Sequence, residues 1–406
     1  MGSGHLEVSP PAPARSALGR NVAALSAVSF LNDISSEMIY PLIPTFLSVV
    51  LGASASAVGV VEGAAESTAA LLKLASGWLS DRARRRKPLV LAGYAIAGVV
   101  RTLLAFAQNV GQVVAIRVTD RVGKGIRTSP RDALIADSVD PAVRGRAFGF
   151  NRAADNAGAV IGPLIAFAVL HFEGIPLRRV FLLASIPALL ALIVLVAGVR
   201  EHPRADRAEH AGPLLEGRMG ARFWAFMVVV FVFTLGNSTD AFLLLRAAQL
   251  GVPMAFAPLL WAMLNLVKSL SNTPGGALSD RVGRKPLIVA GWAFYAVVYL
   301  LFGRAHAAWE AWALFAVYGI YFGLTEGVEK ALVADLVPAA RRGAAFGWYN
   351  LALGLGALPA SLIFGAIWDR AGAPAAFTFG AAMAAAAAIA IAFVAPAQQQ
   401  RAPGRS

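Results

Sequence analysis

Ionisable side chains sit inside stretches of this chain that are otherwise apolar, and their spacing groups them on a few helix faces. Asn32, Asp33 and Glu37 fall in the run 21–50, with the two carboxylates one helical turn apart. Glu62 and Glu66 repeat that spacing in the run 56–79. The run 110–138 carries Arg117, Asp120, Arg121, Lys124, Thr128 and Arg131 at helical spacing, which makes one polar stripe. In hydrocarbon an ion costs about 2.5–3.5 kcal/mol at a helix centre, so each of these must face protein or water. A carboxylate beside an arginine in such a setting can exchange its ionic partner for a proton. Asp33 and Glu37 are therefore the leading candidates for proton coupling, with Arg117, Asp120 and Arg121 beside them. The same two acids serve equally as permanently paired structural anions, and Asn32, Asp33 and Ser35 can alternatively ligate a hard cation such as sodium.

Long apolar segments must position these groups. Twelve are legible, at 21–50, 56–79, 88–108, 110–138, 146–170, 179–199, 222–248, 253–278, 286–304, 310–337, 344–369 and 374–395, each long enough to cross about 30 Å of hydrocarbon as helix. With 58% hydrophobic and 15% charged residues among 406, no single soluble core could hide so much apolar surface. Residues 1–20 read as a disordered tail, 21–199 as one six-helix bundle, 200–221 as a polar linker, 222–395 as a second bundle and 396–406 as a tail. The formal net charge of +13 suggests nucleic acid, but its placement in short loops argues for a topology signal and against that partner. Lys and Arg cluster at Arg82–Lys87, Arg144, Arg146, Arg200–Arg222, Arg281–Lys285, Arg341 and Arg342, whereas the alternate loops hold only Arg178, Arg179, Arg304 and Arg370. Both termini are expected on the cytoplasmic side of an inner membrane. With no cysteine, thiolate metal sites are excluded.

The halves are copies. Gly77, Leu79, Asp81 and Arg82 recur as Gly276, Leu278, Asp280 and Arg281, and Ala133–Asp137 recurs as Ala331–Asp335. Charged and glycine positions in step mark duplication and not shared composition. In the first half, Asp33, Glu37, Glu62, Glu66, Asp120, Asp132 and Asp155 balance Lys73, Arg117, Arg121, Lys124, Arg127, Arg131 and Arg152 on segments one, two, four and five. The arginines should then pair mostly with neighbouring carboxylates, so the cationic stripe alone does not imply an anionic substrate. The second half is sparser. Asn272-Thr-Pro-Gly-Gly276 is expected to break the eighth segment, and Trp309, Trp312 and Trp368 to anchor at the interface, while Trp261 and Asn265, one turn apart, can face the cavity or pack, with packing favoured. The five histidines lie in tails, linker or helix ends, which speaks against a metal or relay role. No nucleotide loop, nucleophile elbow or metal motif is present, so neither an enzyme nor a cofactor is expected.

Twelve segments in two repeats, with Gly-x-Leu-x-Asp-Arg-x-Gly-Arg-Lys complete at Gly276–Lys285 and Arg84 replacing the middle glycine of the first copy, resemble the major facilitator superfamily of secondary transporters. The resemblance covers nearly the whole chain. It implies an all-α membrane fold of two six-helix bundles related by a pseudo-two-fold axis, acting as a monomer on a small molecule. It implies a conformational latch made of Gly77, Asp81, Arg82, Gly276, Asp280, Arg281 and Arg284, with a different turn at Arg84. Arg121, Lys124 and Gly125 match the family's fourth-helix element associated with proton transfer. Gly149, Gly158, Gly162 and Pro163 follow its antiporter spacing, with Ala166-Phe167 replacing the final glycine pair. Tyr40-Pro41-Leu-Ile-Pro44 resembles an exporter element. The cavity-lining helices of the family would bring Asn32, Lys124, Asn237, Asp240, Tyr318, Tyr321 and Glu326 near a substrate. Proton-coupled efflux is the function these features imply, with proton-coupled uptake of a polar metabolite or organic anion as the alternative and a non-transporting receptor or scaffold as a remote third. Asp81 should matter more than Asp280, since the first half carries most of the buried charge.

Overall fold

The computed structural model of the chain describes residues 19–83, 85–139, 144–172, 174–201, 219–337 and 342–394. Among the described residues, twelve helical segments of membrane length form two sets of six. In the first set, α1 is Arg20–Ile39, continued by tighter and wider turns to Val50; α2 is Ala55–Arg82; α3 is Lys87–Thr102, extended to Phe106; α4 is Val110–Asp137; α5 is Arg144–Phe172; and α6 joins Leu177–Leu183 to Ser185–Gly198. In the second, α7 comprises Ala221–Gly236 and Ala241–Gln249, α8 is Ala257–Val282, α9 is Arg284–Arg304 and α10 is Ala308–Asp335. The long helix Arg342–Val394 is divided at Gly372, whose φ of 84° is not helical, into α11 and α12.

Local chemistry sets these boundaries. Ser54 and Asn109 cap α2 and α4 by accepting from the amides of Ala57 at 3.3 Å and Gln112 at 3.0 Å. Pro41 and Pro44 tighten the end of α1. Gly283 takes φ 96° and joins α8 to α9 through a single residue, which a left-handed glycine allows. In the first copy α2 ends at Arg82 and α3 begins at Lys87. Arg84 itself lies outside the described residues.

Eight stretches of the described residues are long and apolar enough to cross a membrane, and α1, α2 and α4 are not among them. Those three carry the charges described below. Outward faces remain apolar, as at Leu189, Ile193 and Val196 on α6 or Ile389 and Phe393 on α12, the pattern of helices solvated by lipid.

The expected break at Asn272–Gly276 does not occur, because α8 runs unbroken through Pro274. A Cβ at Gly275 would strike the backbone of Gly323 on α10, so this glycine permits close crossing of helices. Trp309 is 70% exposed as an anchor should be, but Trp368 is buried against Phe242, Phe364 and Phe377. Its place at the end of α11, facing α7 and α12, makes it core.

Candidate functional site

Three arginines and three carboxylates form a lattice inside the first half. The Arg117 guanidinium donates through Nε to Glu62 Oε1 at 3.1 Å and through Nη2 to Oε2 at 2.7 Å, a two-pronged pairing of α4 with α2. Asp120 sits between Arg101 at 2.7 Å, Arg121 at 3.6 Å and Arg117 at 3.7 Å, and Arg121 reaches Glu66 at 3.1 Å. Glu62, Asp120, Arg101, Arg117 and Arg121 are all buried. Opposite charges at this depth must be matched, since an unpaired one would be very costly. Arg101 on α3 is the member that sequence reasoning missed. It also donates to Asn32 Oδ1 at 3.1 Å, and its signal was the same as for the others, a charge within an apolar run.

A cavity of about 510 Å³ opens between the halves. Its first-half wall bears Glu37, Glu62, Glu66, Lys73, Arg121 and Lys124, and its second-half wall Asn237, Asp240, Trp261, Asn265, Lys268 and Tyr318. Trp261 Nε1 donates to Glu37 Oε2 at 2.6 Å, and the Tyr40 ring lies 4.7 Å from that of Trp261. Tyr318 donates to Asp240 Oδ1 at 2.8 Å. At the end away from the basic loops the halves are clamped by Asp369 of α11, whose two oxygens accept from the amides of Ala55 and Ser56, each at 2.9 Å. Phe167 and Phe256 meet there as well, at 5.3 Å. Along α2 and α11, Gly59, Gly63, Gly354 and Gly365 bring the helices into backbone contact.

Of the expected cavity residues, Lys124, Asn237, Asp240 and Tyr318 line this space, whereas Asn32, Tyr321 and Glu326 do not. Asn32 serves Arg101, and Tyr321 packs behind the wall on Phe233 and Tyr295. Glu326 joins Arg152 at 3.4 Å and Lys268 at 3.5 Å, an ionic link between α5 and α10. Of the proton-coupling candidates, Glu37 and Arg121 face the cavity, Arg117 and Asp120 belong to the lattice behind it, and Asp33 accepts from Asn32 Nδ2 at 3.0 Å. Neither Asp33 nor Glu37 forms an ion pair with arginine among the described residues, since Glu62, Glu66 and Asp120 occupy the nearby guanidinium groups. Trp261 and Asn265 line the cavity, the less favoured of the two expectations for them; the end of α1 brings Glu37 and Tyr40 within reach of the indole. A further carboxylate, Glu329 on α10, is buried and accepts from Trp292 Nε1 at 2.8 Å and the Tyr349 hydroxyl at 2.7 Å.

Two glycines of the packing motif lie against α1. A Cβ on Gly158 would come within 2.6 Å of Phe30 O, and one on Gly162 equally close to Ile34 O, so α5 lies directly on α1 beside Asp33 and Glu37. Pro163 is carried inside α5 without interrupting it. Within the latch strings, Arg284 pairs with Asp335 at 2.7 Å and Arg281 is exposed. The side chains of Asp81, Arg82 and Asp280, together with Gly77, Gly149 and Gly276, lie outside what the structure describes.

This architecture is matched by known proteins. The model of the Major Facilitator Superfamily matches residues 25–267 and 226–406. An uncharacterized MFS-type transporter of Methanocaldococcus jannaschii is 33% identical over 387 residues, 93% of this chain and 95% of that one. A protein of Streptococcus pneumoniae named as a multi-drug resistance efflux pump is 26% identical over 365 residues, 87% of this chain and 88% of its own length. Among solved structures, the nucleoside transporter NupG aligns with a TM-score of 0.76 at 14% identity, over 92% of this chain and 98% of that chain. With two six-helix sets around a central polar cavity and a family match across its length, the chain belongs to the major facilitator superfamily of membrane transporters.

Proposed function

We propose that the protein is a secondary active transporter that exports a small molecule across the cytoplasmic membrane in exchange for protons, by rocking its two six-helix halves about the central cavity. The observation that carries this reading is the Glu37–Trp261 hydrogen bond across the halves, which ties a membrane-embedded carboxylate to the contact that must open and close. Asp33 and Glu37 are the proton-coupling groups, and Arg117, Asp120 and Arg121 keep the surrounding field fixed. The similarity to a protein named as an efflux pump favours export. The excess of Lys and Arg in the loops at residues 83–86 and 283–285 favours a cytoplasmic location for that face and for both termini, and Asp81 and Asp280 would latch it. The active unit in this reading is one chain.

Uptake of a polar metabolite or organic anion is the second reading, favoured by Lys73, Lys124 and Lys268 in the cavity wall. A thermal-shift screen on purified protein identifies a ligand, because a compound that binds only the folded state raises its apparent stability. Vesicles reconstituted with the protein then receive that ligand under pH gradients of each sign. Antiport loads vesicles that are acidic inside, and symport loads those that are acidic outside. Asp33→Asn with Glu37→Gln should abolish gradient-driven movement while ligand exchange continues. Full gradient-driven activity in both single variants and the double variant would overturn the assignment.

A further inference from the structure

Midway along α7 the helix stops. Its first part ends at Gly236 and its second begins at Ala241, so Asn237, Ser238, Thr239 and Asp240 cross the interval as unwound chain, with Asn237 at φ −91° and ψ 77°. All four residues belong to the cavity wall. We propose that this interruption is a binding site for a compact monovalent cation, either a sodium ion or the ammonium group of a transported molecule, with Asp240 supplying the charge and Ser238 Oγ a neutral oxygen.

Asp240 faces the cavity without a basic partner among the described residues. Its Oδ1 accepts from Tyr318 at 2.8 Å, and the lysine that shares its side of the cavity, Lys268, is engaged by Glu326 at 3.5 Å and lies over the Phe322 ring at 4.0 Å. The carboxylate therefore stands in the wall of a membrane-embedded space with only a neutral donor, where a cation is the natural complement.

Beside it are two buried hydroxyls. Ser238 is 4% exposed and Tyr299 0% exposed; their oxygens approach each other, with the Tyr295 and Tyr318 hydroxyls close by, but neither Ser238 Oγ nor the Tyr299 hydroxyl reaches full hydrogen-bond geometry. Buried polar atoms are almost always satisfied, so an adjacent pair of exceptions needs a reason. An oxygen held ready for a dehydrated cation is such a reason.

The end of the first part favours the same charge, whereas the second part presents its positive end at Asp240. The carbonyl end of the first part, the negative end of its dipole, points into the interruption. Gly236 O and Asn237 Oδ1 each accept from the Tyr295 hydroxyl at 3.2 Å, which holds both oxygens at the gap while each keeps a second lone pair. Oxygen donors alone select a hard cation, and one carboxylate suits a single positive charge better than a double one.

The sodium arm stands apart from the proton-coupling reading, whereas the ammonium arm rests on the cavity being the substrate site. Thermal unfolding of the purified protein tests both without any transport measurement. The background salt is N-methylglucamine chloride, whose cation is too bulky for the site, and sodium chloride or n-butylammonium chloride replaces it at constant ionic strength. A saturable rise in apparent melting temperature of several degrees is expected with at least one of them. It should vanish in Asp240→Asn and shrink in Ser238→Ala, with both variants melting like the parent in the background salt. If Asp240→Asn does not fold, Ser238→Ala carries the comparison. A rise with sodium alone identifies an ion site, and a rise with butylammonium alone a substrate subsite. No saturable rise with either cation, or a rise undiminished in the variants that fold, would overturn the proposal.

Discussion

Trp261 and Glu37 stand 224 positions apart in sequence and meet at 2.6 Å, indole nitrogen to carboxylate oxygen, with the two halves of the molecule on either side of the bond. The irregular end of α1, shaped by Pro41 and Pro44, also carries Tyr40, which leans its ring on Trp261 and brings its hydroxyl to 3.4 Å from Thr239 Oγ1. A single turn of α1 thus reads both α8 and the interruption of α7. Any change in the charge of Glu37 alters a bond that spans the halves, and a rocking motion that separates them must release that bond.

Trp261→Phe keeps the ring that packs on Tyr40 and removes the donor. Leaving a buried acceptor unserved costs about 1–3 kcal/mol, so the apparent melting temperature should fall modestly. Gradient-driven transport should fall about tenfold or more, a change equivalent to roughly 1.4 kcal/mol. In thermal unfolding, adding Glu37→Gln should cost little beyond Trp261→Phe alone, because the two residues share one bond. Strictly additive losses in thermal unfolding would mean that the contact is incidental.

The two-pronged pairing of Arg117 with Glu62 makes the opposite prediction, one about folding. Glu62→Gln or Arg117→Met should each destabilise the protein by about 3–5 kcal/mol, since each strands a buried charge. Glu62→Met combined with Arg117→Met should recover most of that loss in thermal unfolding. If the double variant is as unstable as the singles, the pair contributes packing that methionine cannot replace.

Much of the fold was legible because hydropathy, charge periodicity and repetition are local signals. Twelve apolar runs, the Gly158 and Gly162 face and the balance of acids against bases all follow from spacing. The exact pairing within the lattice did not follow, because Arg101 competes for Asp120 from a third helix and displaces the simpler expectation of Asp33 or Glu37 beside an arginine. Trp261, Trp368 and Pro274 were misjudged for one reason. Each depends on which helix crosses opposite it, and crossing partners are a tertiary fact that side-chain type does not encode. The break in α7 was likewise invisible, since Asn237-Ser-Thr-Asp240 sits within an apolar run that reads as continuous helix.

Glycine contacts offer a third test with its own internal control. Gly158→Ala and Gly162→Ala would each force a Cβ to about 2.6 Å from a backbone oxygen of α1, and overpacking of this kind costs about 1–3 kcal/mol. Gly327 on α10 has nothing within 4 Å of its would-be Cβ, so Gly327→Ala should be neutral or stabilising by up to about 1 kcal/mol. Melting temperatures of the three variants in one detergent decide the matter. Equal behaviour would show that α5 can retreat from α1 at no cost.

Asp369 is the most direct handle on closure. Its carboxylate accepts two amide hydrogen bonds from the start of α2, at Ala55 and Ser56, and bonds to a charged acceptor contribute about 1.5–3 kcal/mol each. Asp369→Ala should therefore weaken the clamp at the end away from the basic loops and populate the form open there. Because the chain has no cysteine, Asn265→Cys places one reporter thiol in the cavity wall without further changes. A membrane-impermeant maleimide added on the Asp369 side should label that thiol severalfold faster when Asp369→Ala is also present. The change should be absent in Asp369→Glu if the longer acid still reaches the two amides. Unchanged labelling in Asp369→Ala, with the protein folded by its melting curve, would show that the apolar contact of Phe167 with Phe256 and the glycine seam between α2 and α11 hold that end shut without the carboxylate.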